Sequence, residues 1–281
     1  MTFATPEAAH AHSESGGSTI ADAILRWAAG FWFLIAAAGQ WLFVLFILGF
    51  YAMPTLTGNF EAWDKNTFMT HGYVAGDTAG NLAFAAHVMM AAVITASGTV
   101  QLIPWIRTNA ISFHRWSGRT FVFIAFAISL AGLFLNATRG EGTFAHIPIT
   151  LNAVLLMFCA GQTIGFARAG DIGTHRRWAL RTYMLMNGVW FLRVGMLAWM
   201  IGKIGLFGGP KEFDANFYAF WSYGCYLVPL AVLELYFWAQ DRGAAGAKVG
   251  VAALLVLLTV AMGVGIAGAT FGLWWPLLRV A

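Results

Sequence analysis

The stretch 82-LAFAAHVMMAAVITASGTVQLIPW-105 decides the fold. Its 24 residues contain no Asp, Glu, Lys or Arg, and a helix needs only about 20 apolar residues to cross a bilayer. A helix of this length on the surface of a soluble domain would show a polar stripe. This one is alanine, valine, methionine and leucine all round, with one imidazole, His87, near its start and Pro104-Trp105 closing it.

Working outward, six further windows read the same way: Phe31–Met53, Val122–Leu135, His146–Phe166, Trp178–Ile201, Phe217–Trp238 and Val249–Phe271. The chain is 59% apolar and only 10% charged, with 24 Phe and 13 Trp, far from the composition of a soluble domain. The expected fold class is therefore an all-α polytopic membrane protein with seven transmembrane helices, in which spans two to five form a four-helix core bundle. The expected organisation is a disordered cytoplasmic tail over residues 1–25 and a single transmembrane domain over 26–281, with the core bundle at 82–201. The tail lacks the basic n-region of a signal peptide, and its His10 and His12 are expected to have no role.

Only Cys159 and Cys225 are present, each inside an apolar span, so a disulfide framework and a thiolate metal cluster are both excluded. The net charge of +4 is not a nucleic-acid signal, since basic residues in such a chain report orientation. Arg26, Arg107, Arg115, Arg119, Arg168, Arg176, Arg177, Arg181, Arg242 and Lys248 fall on one face, ten in all, against five on the other: Lys65, Arg139, Lys203, Lys211 and Arg279. The positive-inside rule then predicts a bacterial inner-membrane protein with a cytoplasmic N-terminus and a periplasmic C-terminus. The connection Pro54–Asn81 is a candidate outer lid, with His71 in it. Trp27, Trp105, Trp116, Trp178 and Trp238 fit an interfacial belt.

Four histidines carry the functional reading. Asn81 is the expected N-cap of the second span, placing His87 one to two turns below the outer surface. The third span, expected to start near Ser112, puts His114 at the inner level. The fourth, from about Phe144, returns His146 to the outer level, and the fifth, from about Thr174, puts His175 at the inner one. Parity pairs His87 with His146 and His114 with His175. Two bis-imidazole sites stacked across a bilayer suit two b-type hemes, and therefore an electron carrier. Gly98, Gly118 and Gly132 lie on the histidine faces, where a porphyrin needs room, though glycine also lets membrane helices pack closely. Arg115, Arg119, Arg176, Arg177 and Arg181 surround the inner pair as candidate partners for heme propionates. Arg193, five turns from His175 on the same face, is a cation inside a span and so a candidate partner for an outer propionate or a quinone, with Glu234 as a structural alternative.

The motifs His114-Arg-Trp-Ser-Gly-Arg119 and Gly170-Asp-Ile-Gly-Thr-His175-Arg-Arg-Trp178, followed by an apolar helix carrying Arg193, resemble the bacterial predicted membrane proteins grouped as domain of unknown function 2306, over roughly Leu82–Ile201. That resemblance implies no activity. In topology the chain is also similar to transmembrane diheme cytochromes b, including the ascorbate-using type, which implies heme ligation by histidines of alternate helices of a four-helix bundle. The expected partners are the lipid bilayer and a quinone, a metal ion or a respiratory-chain protein, with no nucleic acid. Two other readings stand beside this one: a non-catalytic accessory or assembly subunit of a respiratory complex, with the histidines handling copper or packing, and a transporter using Arg193 and Glu234. A di-iron enzyme is set aside because no two core histidines are closer than 27 positions.

Overall fold

The computed structural model describes residues 6–66, 72–139, 143–209 and 212–279. Among the described residues seven helices, one overlapping each expected window, are long and apolar enough to cross a membrane. In chain order the principal helices are α1 (Pro6–Ile47), α2 (Thr78–Leu102), α3 (Ile111–Arg139), α4 (Thr143–Ala169), α5 (Ile172–Met186), α6 (Gly188–Phe207), α7 (Ala215–Arg242) and α8 (Ala245–Ala269). Helices α1 to α4 pack in sequence order, α4 continues onto α5, and α6 returns through α8 to α1. Helix α7 lies against α4, α5, α6 and α8. The membrane face where α3 and α5 start is the basic face; α2 and α4 start at the opposite face.

Three boundaries differ from the sequence reading, each for a physical reason. Helix α2 starts at Thr78, not after Asn81, because Asp77 Oδ1 accepts the Gly80 N–H at 2.9 Å and is the N-cap. Asn81 instead holds the loop, its side chain bonding both the N–H (3.0 Å) and the carbonyl (2.9 Å) of Val74. His87 thereby lies about two and a half turns inside the helix, deeper than expected. At the other end of the chain, the polar segment expected as a tail over residues 1–25 is already helical from Pro6. Leu25 is buried against Val251 and Leu255 of α8, and Asp22 takes Lys248 at 2.6 Å.

The fifth span is not one helix. It breaks at Asn187, whose φ of −82° and ψ of 6° leave the helical region. Both its backbone N–H (3.3 Å) and its side-chain Nδ2 (2.8 Å) turn back to the Tyr183 carbonyl, the local competition that makes asparagine a poor interior helix residue. Gly188 follows, where a Cβ would come within 3.2 Å of Asn152 Nδ2 and 3.3 Å of Tyr226 Cβ.

Helices α1 and α8 add to the buried core: Gln40, Ala36 and Ala269 are fully buried, and Trp274 of the α8 extension packs on Phe43 and Phe46. Close approach is possible because Gly39 and Gly265 face neighbouring helices with no room for a side chain. Both helices widen into a π-turn, Leu48–Ala52 and Thr270–Trp274, just before Pro54 and Pro276. Proline has no N–H to give the carbonyl four residues back, so the ladder there loses a rung and the turn opens.

Candidate functional site: two histidine levels in the helix core

At the basic face the α4–α5 turn passes through Gly170, whose φ of +77° suits a residue without Cβ. Asp171 then caps α5 by accepting the Thr174 N–H at 3.0 Å. This sets His175 one turn into α5, with Nδ1 2.9 Å from the Thr163 carbonyl of α4. A carbonyl can only accept, so Nδ1 carries the proton and Nε2 keeps its lone pair. On α3, His114 sits in the first turn, its carbonyl accepting Gln101 Nε2 at 3.2 Å. Gln101 Nε2 also meets Ser117 Oγ, so the end of α2 is tied to the start of α3. His114 Nδ1 is buried and has no hydrogen-bond partner, and the ring lies within electrostatic reach of His175, Arg107 and Arg115. His114 and His175 thus lie at the same face, within electrostatic reach of each other. Burial, and then the nearby Arg176, hold Arg107 below the ordinary arginine range, the mark of guanidiniums crowded at one site.

The arginines expected beside this pair divide into two groups. Arg177 donates to both oxygens of Asp241 (2.7 and 2.8 Å) and Arg181 to both oxygens of Glu234 (2.6 and 2.8 Å), so these two clamp α5 onto α7. Glu234 is accordingly the partner of Arg181, not of Arg193. Arg119 stacks on Trp116 at 5.1 Å, Arg115 lies within electrostatic reach of His114, and Arg176 within that of Arg107.

Toward the opposite face, His87 lies against α3, where a Cβ at Gly132 would stand 3.3 Å from His87 Cε1, and its ring reaches toward the Ile128 carbonyl. Its Nδ1 is buried without a partner. His146 is half-buried on α4, and its main-chain carbonyl accepts Asn136 Nδ2 at 3.1 Å. Asn136 is one turn beyond Gly132, so the His146 backbone lies about 5–6 Å nearer the opposite face than the His87 ring. His87 and His146 share an end of the bundle, offset by a turn. His71 lies outside the described residues; its neighbour Gly72 gives its carbonyl to Arg139 Nη1 at 2.9 Å.

All three glycines expected to leave a slot face protein side chains: Gly98 meets Met186 and Phe121, each 3.1 Å from a Cβ there, Gly118 meets Gln101, and Gly132 meets His87. Val189 is 48% exposed although residues 187, 188, 190 and 191 are buried. With about 100° between successive residues, Gly188 faces α4 and α7, Trp190 faces α1 and Val194 faces α8. That leaves Val189 turned between Arg193 and Gly188. Arg193 shares this side, stacking over Phe43 at 5.2 Å and giving one N–H to the Val189 carbonyl at 3.1 Å. Both Tyr51 and His87 lie within its electrostatic reach. Among the described residues no cluster of three or more His, Cys, Asp or Glu could hold a metal ion.

Sequence reasoning missed Tyr51, Trp63, Gln40 and Asn187. The last two carried a signal, being polar residues within apolar spans, which are costly and seldom incidental. Tyr51 and Trp63 carried none, since they sit at a span end and in a loop where aromatic residues are ordinary.

The fold and this interior define a polytopic helical membrane protein with titratable and cationic side chains inside its bundle. The chain belongs to the family described as predicted membrane proteins of domain of unknown function 2306, whose profile matches residues 84–237. No curated protein and no solved structure matches it.

Proposed function

We propose that this protein is a transmembrane electron carrier holding two b-type hemes, one toward each face, in a bacterial cytoplasmic membrane with the basic face inside. The observation that carries the reading is the unpartnered imidazole nitrogen of His87, buried against α3 and within electrostatic reach of Arg193. A buried polar atom without a partner calls for a ligand or a water, and imidazole is a donor that heme iron takes. At the basic face His175, its Nδ1 bonded to a carbonyl, offers Nε2, the arrangement in which a second bond orients a metal-binding ring. His114, within electrostatic reach of His175, would supply the second imidazole. His87 and His146 are the residues that would hold the second group, and Arg115, Arg119 and Arg176 supply cations for carboxylates. When bound, heme supplies one-electron redox chemistry. The protein's own part is to fix the rings, exclude water and set the local charge. A quinone, a metal ion or a respiratory-chain protein completes the circuit. Heme extracted from detergent-purified protein made under heme-replete conditions is expected at two per chain; a colourless preparation overturns the proposal.

One observation favours a second reading, a transporter. The span break at Asn187 is surrounded by buried atoms without partners, Gln40 Nε2, Asn152 Oδ1, Asn187 Oδ1 and Tyr226 OH, and broken helices near mid-membrane suit substrate sites. Uptake by proteoliposomes, lost in Asn187→Leu, would support it; liposomes carrying the protein that take up no more solute than empty ones would remove it.

A further inference from the structure

Near the opposite face, the π-turn of α1 directs Tyr51 into the bundle, where it is 6% exposed. Its ring meets Phe84 at 6.0 Å and Trp63 at 6.5 Å, and Trp63 meets Phe84 at 5.1 Å. The Tyr51 oxygen accepts from Asn66 Nδ2 at 2.9 Å, while its own proton has no acceptor among the described residues. Trp63 is 1% exposed, and its Nε1 proton also lacks an acceptor. Arg193 gives one N–H to Val189, and among the described residues it has no carboxylate partner. Tyr51 and Trp63 thus hold spare protons in an aromatic cluster one helical turn from His87, and Arg193 lies over Phe43 within electrostatic reach of Tyr51 and His87.

Such a cluster selects its ligand by chemistry. Aromatic walls suit a flat ring, which stacks on them. Donors without acceptors suit carbonyl oxygens, because a buried donor left unmatched is costly. A free carboxylate would match the donors but leave the ring faces unanswered. We propose that this cluster binds the headgroup of a membrane quinone, its carbonyls accepting from Arg193, Trp63 Nε1 and Tyr51 Oη. The use of the site in electron transfer rests on the heme reading; the binding itself does not.

The test is calorimetric titration of the full-length detergent-purified protein with a decyl-substituted benzoquinone, with heme content measured on the same samples. Wild type is expected to bind saturably. Arg193→Gln is expected to weaken binding about tenfold or more, and Trp63→Phe and Tyr51→Phe, which keep the rings and remove one donor each, about three- to tenfold. Trp41→Phe, on an outward-facing position, is expected to bind as wild type. Should Arg193→Gln not fold, the two conservative variants decide. Absence of saturable binding, or unchanged binding in both conservative variants, overturns the site. Quinone binding by protein without heme supports the site and overturns the electron-carrier reading instead.

Discussion

Helix α6, which carries Val189 and Arg193, is held in place by backbone contact with α8, and Gly265→Ala tests that placement. A Cβ at Gly265 would collide with the Val194 carbonyl oxygen and stand 2.8 Å from Val194 Cγ1 and 2.9 Å from the Val194 carbonyl carbon. Two of these atoms are main chain, so no rotamer change can clear them. Restoring an ordinary contact of about 3.5 Å moves one helix away from the other by about an ångström. That displacement strains the neighbouring Trp190 Nε1 bond to the Gly39 carbonyl, already 3.3 Å long. Overpacking of this kind costs about 1–3 kcal/mol. Gly263→Ala, two residues away on the same helix, meets nothing within 4 Å and is the control. Thermal unfolding in detergent, followed by near-UV circular dichroism, is expected to show a midpoint lowered by several degrees for Gly265→Ala and unchanged for Gly263→Ala. Equal midpoints for the two would refute the close α6–α8 contact and, with it, the placement of Arg193.

Three further outcomes follow from the same geometry. Tyr183→Phe removes the 2.6 Å bond to the fully buried Gln40 Oε1 and strands an amide whose Nε2 is already unpartnered, at about 1–3 kcal/mol by chemical denaturation, and adding Gln40→Leu should recover most of the loss. A double variant no more stable than Tyr183→Phe alone would contradict it. The Gly80 N–H, and then Arg139, hold the Asp77 carboxyl below its usual range. A carboxylate depressed in this way stabilises the folded state above its unfolded pKa of about 3.9 and loses that effect as pH falls through the folded value. Hydrogen exchange at residues 72–81 should accordingly stay slow, after correction for intrinsic rates, from pH 7 down to 5 and rise only below about 4; loosening between 7 and 5 would count against the clamp. His114→Ala and His87→Ala should each halve the extractable heme, whereas retention of the full content in either would remove that residue as a ligand.

The spans were legible because an uninterrupted apolar run of this length is seldom tolerated in water. The levels of the four histidines followed from parity along antiparallel helices. What stayed hidden depends on distant pairings or on small local bonds. The carboxylates that engage Arg177 and Arg181 lie 64 and 53 residues further along the chain, so those arginines read equally well as ligands for a cofactor. The true cap of α2 was Asp77, four residues before the asparagine that reads as one, because either side chain suits that role and only the Gly80 bond decides. The break at Asn187 turns on a side-chain bond to the preceding turn, inside a run whose hydropathy is continuous. Glycine spacing could not show that Met186 and Phe121 fill the space at Gly98.

Whether imidazoles from alternate helices face one another across a heme at two depths of this bundle is decided by a reduced-minus-oxidised absorbance spectrum of the purified protein. Wild type is expected to show b-type bands, and His175→Ala about half their amplitude. A wild-type spectrum without b-type bands after heme-replete expression contradicts the two-heme arrangement.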